Sequence, residues 1–378
     1  MGSPASIYRR MIDHPPSNLS SWTVLLLLWP CAQLYRLVMW SRAALYRRGL
    51  RQVKRAGVPV ISVGNLTVGG TGKTPVVDDL VKRLLARGLR VAVVSRGYGG
   101  NYRGAVGVVA TGDGRLLLDA QTAGDEPCLL ARRNPTLQVY VARRRARGVR
   151  AAEAAGAEVI VLDDGFQHLA VQRDLDIVLL DKRSPFGNGQ LLPAGPLRES
   201  PAALRRAGLL VMTHADTSQR AALPFAGPVV HCRHRLAEAL LTLDGEEQPW
   251  TCLEQRPVVA FAGIARPDDF FAALRARGIT LTDTLAFNDH QAYAPEQLNR
   301  LIQLCDNEKL LVTTEKDAVK LRAANFPCPC LVAPLVLEFD EAGELDKALE
   351  DVIRQTRNPH HQDTKDAKAN HISMDFFL

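Results

Sequence analysis

The stretch VGGTGKT, Val68 to Thr74, lies between an apolar run, VPVISVG, and a helix-forming segment that continues to Arg87. A glycine-rich turn in that setting gathers backbone N–H groups at a helix N-terminus, the geometry of an anion cradle. Thr67, Val68, Gly69, Gly70, Thr71 and Gly72 would wrap a nucleotide's phosphates. Lys73 would reach the outer phosphate oxygens, and the Thr74 hydroxyl would meet a magnesium ion (Mg2+). The common G-x-x-x-x-G-K-[ST] pattern has a glycine where Thr67 stands. The donors survive that change, so the bend is expected at Gly64 or Thr67.

Two later strand ends carry matching chemistry. AEVIVLDDGFQH runs a buried strand into Asp163 and Asp164, the usual place for a carboxylate facing a phosphate loop across a magnesium ion. An Asp-Asp-Gly surface turn is the plain alternative, but Gln167 and His168 add polar groups that such a turn does not need. VVSRGYGG leads a strand into Arg96, a cation able to stabilise a transferring phosphoryl group. Its glycine spacing fails the G-x-G-x-x-G dinucleotide fingerprint, which argues against hydride transfer.

Apolar runs alternating with helical stretches predict a P-loop NTPase-like, doubly wound parallel α/β sheet, with a second, smaller α/β domain and an N-terminal membrane-associated helix. At 378 residues the chain is long enough for two cores. The expected divisions are a membrane-associated region over 1–56, the phosphate-loop domain over 57–225, a connector over 226–256, a smaller α/β domain over 257–356, and a disordered tail over 357–378. In the connector, PVVHCRHRL and ALLTLDGEEQPW are expected to pair as two strands.

Residues 22–40 are apolar apart from Thr23, Gln33 and Arg36, with tryptophans at 22, 29 and 40. Spanning a bilayer takes about 20 such residues. Pro30, Arg36 and the basic series Arg42, Arg47, Arg48, Arg51, Lys54 and Arg55 favour a helix lying in, or partly inserted into, an anionic membrane surface. A buried core helix is the plain alternative. The net charge of +7 fits anionic partners. Seven scattered cysteines suit a reducing compartment better than a disulfide framework, and CPC at Cys328 and Cys330 lacks the companions a zinc site needs. Neither a nucleic-acid partner nor an obligate protein partner is indicated.

In order along the chain, SVGNLTVGGTGKTP, SRGYGG, GDEP, DDGFQH, LLPAGPLRE, FNDH and TTEKDAVK resemble the tetraacyldisaccharide 4'-kinase (lipid A 4'-kinase) family over roughly residues 20–350. The resemblance implies an ATP-dependent enzyme at the cytoplasmic face of the bacterial inner membrane, anchored by its N-terminal helix. It would phosphorylate the 4'-hydroxyl of a tetraacyldisaccharide 1-phosphate, giving lipid IVA. It further implies that Asp125 of GDEP activates the sugar hydroxyl with support from His290 of FNDH, that Lys73 and Thr74 serve phosphates and magnesium, and that Asp163 and Asp164 serve the metal. Arg96, Arg198 and Glu199 would line the site. Relatives often carry two histidines after the aspartate of FNDH, Asp289, whereas Gln291 follows His290 here.

Thr314 to Asp317 reads either as a helix cap or as an approach to the nucleotide base. The rival class is a nucleotide-switch ATPase or GTPase of the partitioning or metallochaperone type. Such proteins carry a lysine where Val68 stands.

Overall fold

A computed structural model describes residues 19–214, 223–254, 256–305 and 308–357. The stretch expected to be a disordered tail lies, from residue 358 on, outside the described residues.

The first described helix, α1 (Leu19–Arg47), contains Pro30. Most of its apolar side chains are exposed, among them Trp22, Leu26, Leu27, Trp29, Leu34, Leu37 and Trp40, so it is not a core helix. Ala32 and Ala44 mark the face it packs against the protein. By length and composition, 22–47 is the one described segment apolar enough to cross a membrane.

The following strands are β1 (Val60–Asn65), β2 (Val91–Ser95), β3 (Gly107–Thr111), β4 (Gln138–Val141), β5 (Val159–Asp163), β6 (Leu175–Asp181), β7 (Leu209–Thr213) and β8 (Val229–Leu236). With β15 (Leu335–Phe339) they form a nine-stranded sheet ordered β15-β8-β7-β6-β1-β5-β2-β4-β3. Only the two edge strands, β3 and β15, run antiparallel to their neighbours. β1, β5 and β6 are buried along their whole length. Strands covered on both faces can be continuously apolar, which is why these segments lack the two-residue alternation of a half-exposed sheet. The chain crosses from β5 to β6 over β1, which leaves a crevice at the carboxyl ends of these three strands. The helix α2 (Lys73–Ala86) starts there.

A second, six-stranded sheet is ordered β10-β9-β14-β13-β11-β12. Its strands are β9 (Leu240–Thr242), β10 (Glu247–Gln248), β11 (Val258–Ala262), β12 (Leu281–Ala286), β13 (Leu310–Thr314) and β14 (Cys330–Ala333). All seven cysteines are free thiols, and burial pushes the Cys330 thiol well up.

The two segments expected to pair within 226–256 do not pair. VVHCRHRL is β8, joined to β7 and β15 in the first sheet. ALLTLDGEEQ folds back on itself as β9 and β10 of the second sheet, around Gly245 at φ 96°. The turn chemistry of Asp-Gly thus acts inside the second segment. The apolar stretch CPCLVAPLVLEF divides at Pro334, whose carbonyl accepts from Ala237 N at 2.9 Å. Beyond it β15 returns to the first sheet, and Leu345, Leu349 and Val352 of the helix Ala342–Arg357 enter that domain's core. The strands linking the two sheets are therefore β8 and β15, a pairing across roughly a hundred residues that no local signal announces.

Candidate active site

The phosphate loop takes its bend where glycine permits it. Gly69 has φ 110° and Gly72 φ 76°, whereas neither Gly64 nor Thr67 adopts a left-handed backbone. Gly64 is needed for space instead, since a Cβ there would lie 2.6 Å from Phe166 Cβ. Thr67 forms an isolated bridge with Leu197, and Val68 N donates to Pro196 O at 2.8 Å. The LLPAGPLRE segment therefore supports the limb that the missing glycine would have started. Asn65 Nδ2 donates to Thr71 Oγ1 at 2.9 Å. Lys73 Nζ donates to Asn65 Oδ1 at 3.3 Å and lies 3.7 Å from Asp164 Oδ1. Thr74, one residue on, stands in the first turn of α2.

The two aspartates at the end of β5 are not equivalent. Asp163 is buried. Its Oδ2 accepts from Ser95 Oγ at 3.0 Å and its carbonyl from Arg145 Nη2 at 3.0 Å, while Oδ1 has no partner among the described residues. Burial, then Glu126 and Asp164, push the Asp163 carboxyl up to about 7, against the pull of Lys73 and Arg145. Asp164 sits at φ 52°, and both of its oxygens accept from Arg198 Nη1, at 2.9 and 2.7 Å. Burial opposes its charge, but Lys73 and Arg198 outweigh it and hold its carboxyl below the usual range. Asp164 is thus committed to its arginine, and Asp163 presents a desolvated oxygen that lacks a positive partner.

The other expected lining residues divide likewise. Gln167 Nε2 donates to Asn65 O at 3.0 Å, which ties the DDGFQH turn to the base of the phosphate loop. His168 is pushed down to about 4 by burial and by Arg145, Arg42 and Arg96, so it is neutral near pH 7. Glu199 accepts from Arg206 at 2.9 Å, and that guanidinium stacks over the Phe166 ring, so Glu199 braces the wall of the crevice. Arg96 is exposed and lines a cavity of about 390 Å³ with Tyr98, Tyr102, Arg103 and Arg143. α1 reaches this region directly: Tyr35 Oη donates to Arg198 O at 3.1 Å and Arg42 Nη2 to Gln167 O at 3.0 Å.

The second cluster spans the two domains. Asp125 opens the helix Asp125–Arg133 after Gly124, whose φ of 97° and close approach to Tyr98 O leave no room for a side chain. His290, at φ 58° in the loop after β12, places Nδ1 at 2.9 and 3.0 Å from the two Asp125 oxygens. Tyr98 packs edge-on against the imidazole at 5.0 Å. Burial opposes the Asp125 charge, but the His290 hydrogen bond, Lys316 and Lys320 lower its carboxyl below the ordinary value. For His290, burial pulls downward, yet the Asp125 hydrogen bond leaves the imidazole raised.

The TEKD segment contributes to this cluster. Thr314 accepts from Asp317 N and caps the short helix Glu315–Ala318, which aims Lys316 at His290 Nε2, 3.3 Å away. Asn65, Ser95 and Glu126 have no role in the sequence analysis, and Lys316 enters it only as part of the Thr314–Asp317 segment. Each lies inside or beside a quoted motif, but only the fold shows which way it points. The arrangement offers a cradle for phosphates, a carboxyl short of a cation, and a buried carboxylate–histidine pair able to accept a proton from an alcohol.

The profile of the family described as tetraacyldisaccharide-1-P 4'-kinase matches residues 24–354. A tetraacyldisaccharide 4'-kinase of Syntrophotalea carbinolica is 50% identical over 354 residues, covering 93% of this chain and 99% of that protein. One from Geobacter metallireducens is 48% identical over 301 residues, 79% of this chain and 89% of the relative. Among solved structures, LpxK from Aquifex aeolicus in complex with ATP is 33% identical, with a TM-score of 0.76 over 87% of this chain and 99% of that one.

Proposed function

This chain belongs to the tetraacyldisaccharide 4'-kinase family and is an ATP-dependent kinase of a tetraacyldisaccharide 1-phosphate, yielding lipid IVA, and we propose that its phosphate loop handles the donor while Asp125 and His290 handle the acceptor. Backbone N–H groups of 69–73 and Lys73 take the β and γ phosphates of ATP, in line with the ATP complex of the Aquifex relative; the Val68 N–H, expected to join them, already donates to Pro196 O. The acceptor's 4'-oxygen attacks the γ phosphorus, the bond to the β–γ bridging oxygen breaks, and the hydroxyl proton passes to Asp125. His290 orients that carboxylate and stabilises its surroundings. Arg96, at the cavity mouth, offsets anionic charge.

Bound magnesium would neutralise charge on the phosphates, and Thr74 Oγ1 with Asp163 Oδ1 are the groups that would hold it. Two protein ligands suffice, because magnesium is commonly shared between one or two carboxylates and substrate phosphates. The unpartnered buried Oδ1 of Asp163 fits that role, and Asp164 would act through Arg198 and Lys73.

The exposed tryptophans and leucines of α1, followed by six basic residues, support an in-plane or partly inserted helix at the cytoplasmic face of the inner membrane. There the enzyme would meet its lipid disaccharide.

The observation that carries the division of labour is the 2.9 Å contact between Asp125 and His290, which joins the two domains away from the phosphate loop. Its test is Asp125→Asn in the full chain with lipid acceptor: ATP affinity is retained and acceptor phosphorylation drops about a hundredfold or more. Unchanged phosphorylation would overturn the acceptor assignment.

A further inference from the structure

Lys316 has an environment that the reaction as described leaves unused. Its ammonium lies 3.0 Å from Asp289 Oδ1, 3.3 Å from His290 Nε2 and 3.5 Å from Glu126 Oε1. An ammonium has three hydrogens and no acceptor. Asp289 Oδ1 and His290 Nε2 each take a hydrogen, with the Glu126 carboxylate as an ion-pair partner, and a ring nitrogen that accepts from Lys316 carries no proton of its own. That leaves the imidazole's proton on Nδ1, where the Asp125 carboxylate receives it.

We propose that Lys316 is a positioning residue for the acceptor half of the reaction: it holds His290 as the neutral Nδ1–H tautomer and so keeps Asp125 oriented and fully available as the base. The proposal rests on the acceptor reading above. The chemistry gives the tautomer a purpose. A neutral imidazole donating to Asp125 fixes the carboxylate's direction without the full opposing charge of an imidazolium, which would weaken it as a proton acceptor. Lys316 comes from the second domain and Glu126 from the first, so the ammonium is seated only when the two domains meet as they do here.

The groups around His290 set the sign of the effect. Asp125, Glu126, Asp289 and Asp317 face Lys316 and Lys320 in this cluster, with the uncharged Tyr98 ring against the imidazole edge. Four carboxylates thus surround two ammonium groups. Without Lys316 only Lys320 remains to balance them, and the surplus negative charge draws a second proton onto His290. Lys316 itself remains charged: burial opposes this, but Glu126, Asp125 and Asp289 outweigh it.

The test uses the full chain with lipid acceptor, ATP and magnesium. Nitrogen NMR of histidine-labelled protein, with His290 assigned by its loss in His290→Gln, is expected to show Nε2 unprotonated and Nδ1 protonated near pH 7.5. In Lys316→Met the same resonances should become those of an imidazolium. The acid limb of the kcat profile should rise by about one pH unit or more, with turnover at neutral pH down about tenfold and ATP affinity unchanged. Lys316→Arg, which keeps donors and charge, should restore much of the acid limb. A proton on Nε2 in the unmodified protein would overturn the proposal, and so would an unmoved acid limb in a folded Lys316→Met. The tautomer measurement needs no substitution at Lys316 and decides the matter even if that variant fails to fold. Failure of the acceptor reading looks different, since Asp125→Asn and His290→Ala would then both turn over normally.

Discussion

The Asp125–His290 pair can be tested as a unit. Asp125 is almost wholly buried, both of its oxygens lie within hydrogen-bond reach of one imidazole nitrogen, and Lys320 lies 3.8 Å away. Removing a general base costs about a hundredfold or more in turnover, or roughly 2.7 kcal/mol of barrier. If Asp125 takes the proton and His290 acts only through Asp125, each contribution disappears with the first substitution. Asp125→Asn and His290→Gln should each lose about a hundredfold, and the double variant should be little worse than the more damaged single. Independent roles would multiply to about ten-thousandfold. Single-turnover phosphorylation of the lipid acceptor at saturating ATP reads the chemical step in all four proteins, and ATP affinity serves as the control. A double variant near the product of the singles would refute the dyad while leaving the kinase intact.

Lys73→Ala and Thr74→Ala should lose activity through phosphate and magnesium handling, and near-normal turnover of both at limiting magnesium would contradict the loop assignment. Thr67→Gly should keep most activity, because the limb there is held by backbone bonding to 196–197. Gly72→Ala should abolish it, since the residue has φ 76° and a Cβ would lie 2.6 Å from His234 Nε2; comparable kinetics in the two variants would show the bend is misplaced. Burial pushes the Asp163 carboxyl up to about 7, above its unfolded value, so without magnesium and nucleotide its contribution is complete below about pH 4 and is lost as pH rises through the raised value. The thermal midpoint should therefore decline over that window and flatten in Asp163→Asn; parallel curves would exclude the effect. Deleting residues 1–40 should shift the protein from anionic vesicles to the soluble fraction, and full retention in high salt would assign binding to another surface.

Legibility followed locality. The phosphate loop and the aspartates at the end of β5 are each set by neighbours within a few residues along the chain. The joining of β8 to β15 was not legible, because the two strands find each other only after the strands of the second sheet have intervened. Asp125 and His290 were paired by resemblance alone, since 165 residues separate them and neither motif announces the other. Lys316 was half legible. The Thr314 cap follows from capping chemistry, but the direction in which a capped turn aims its next lysine depends on the opposing domain.

That dependence bears on how the site works. The contacts joining the domains around it are largely ionic: Arg133 with Glu315 at 3.0 Å, Lys316 with Glu126 at 3.5 Å, Arg183 with Asp269 at 3.0 Å and Arg266 with Asp181 at 3.4 Å. The more exposed of these pairs contribute about 1 kcal/mol or less each. A seam of this kind aligns groups without the strong attachment of a continuous apolar core, so the charges brought by a nucleotide and a phosphorylated lipid are comparable to those holding the domains in register. The two buried oxygens of Asp125 face the second domain through His290, whereas Lys73 and Asp163 belong wholly to the first. On the proposed roles, the groups that hold the donor phosphates come from the first domain while proton removal draws on both, so the meeting of the domains would couple the acceptor's activation to the assembled site.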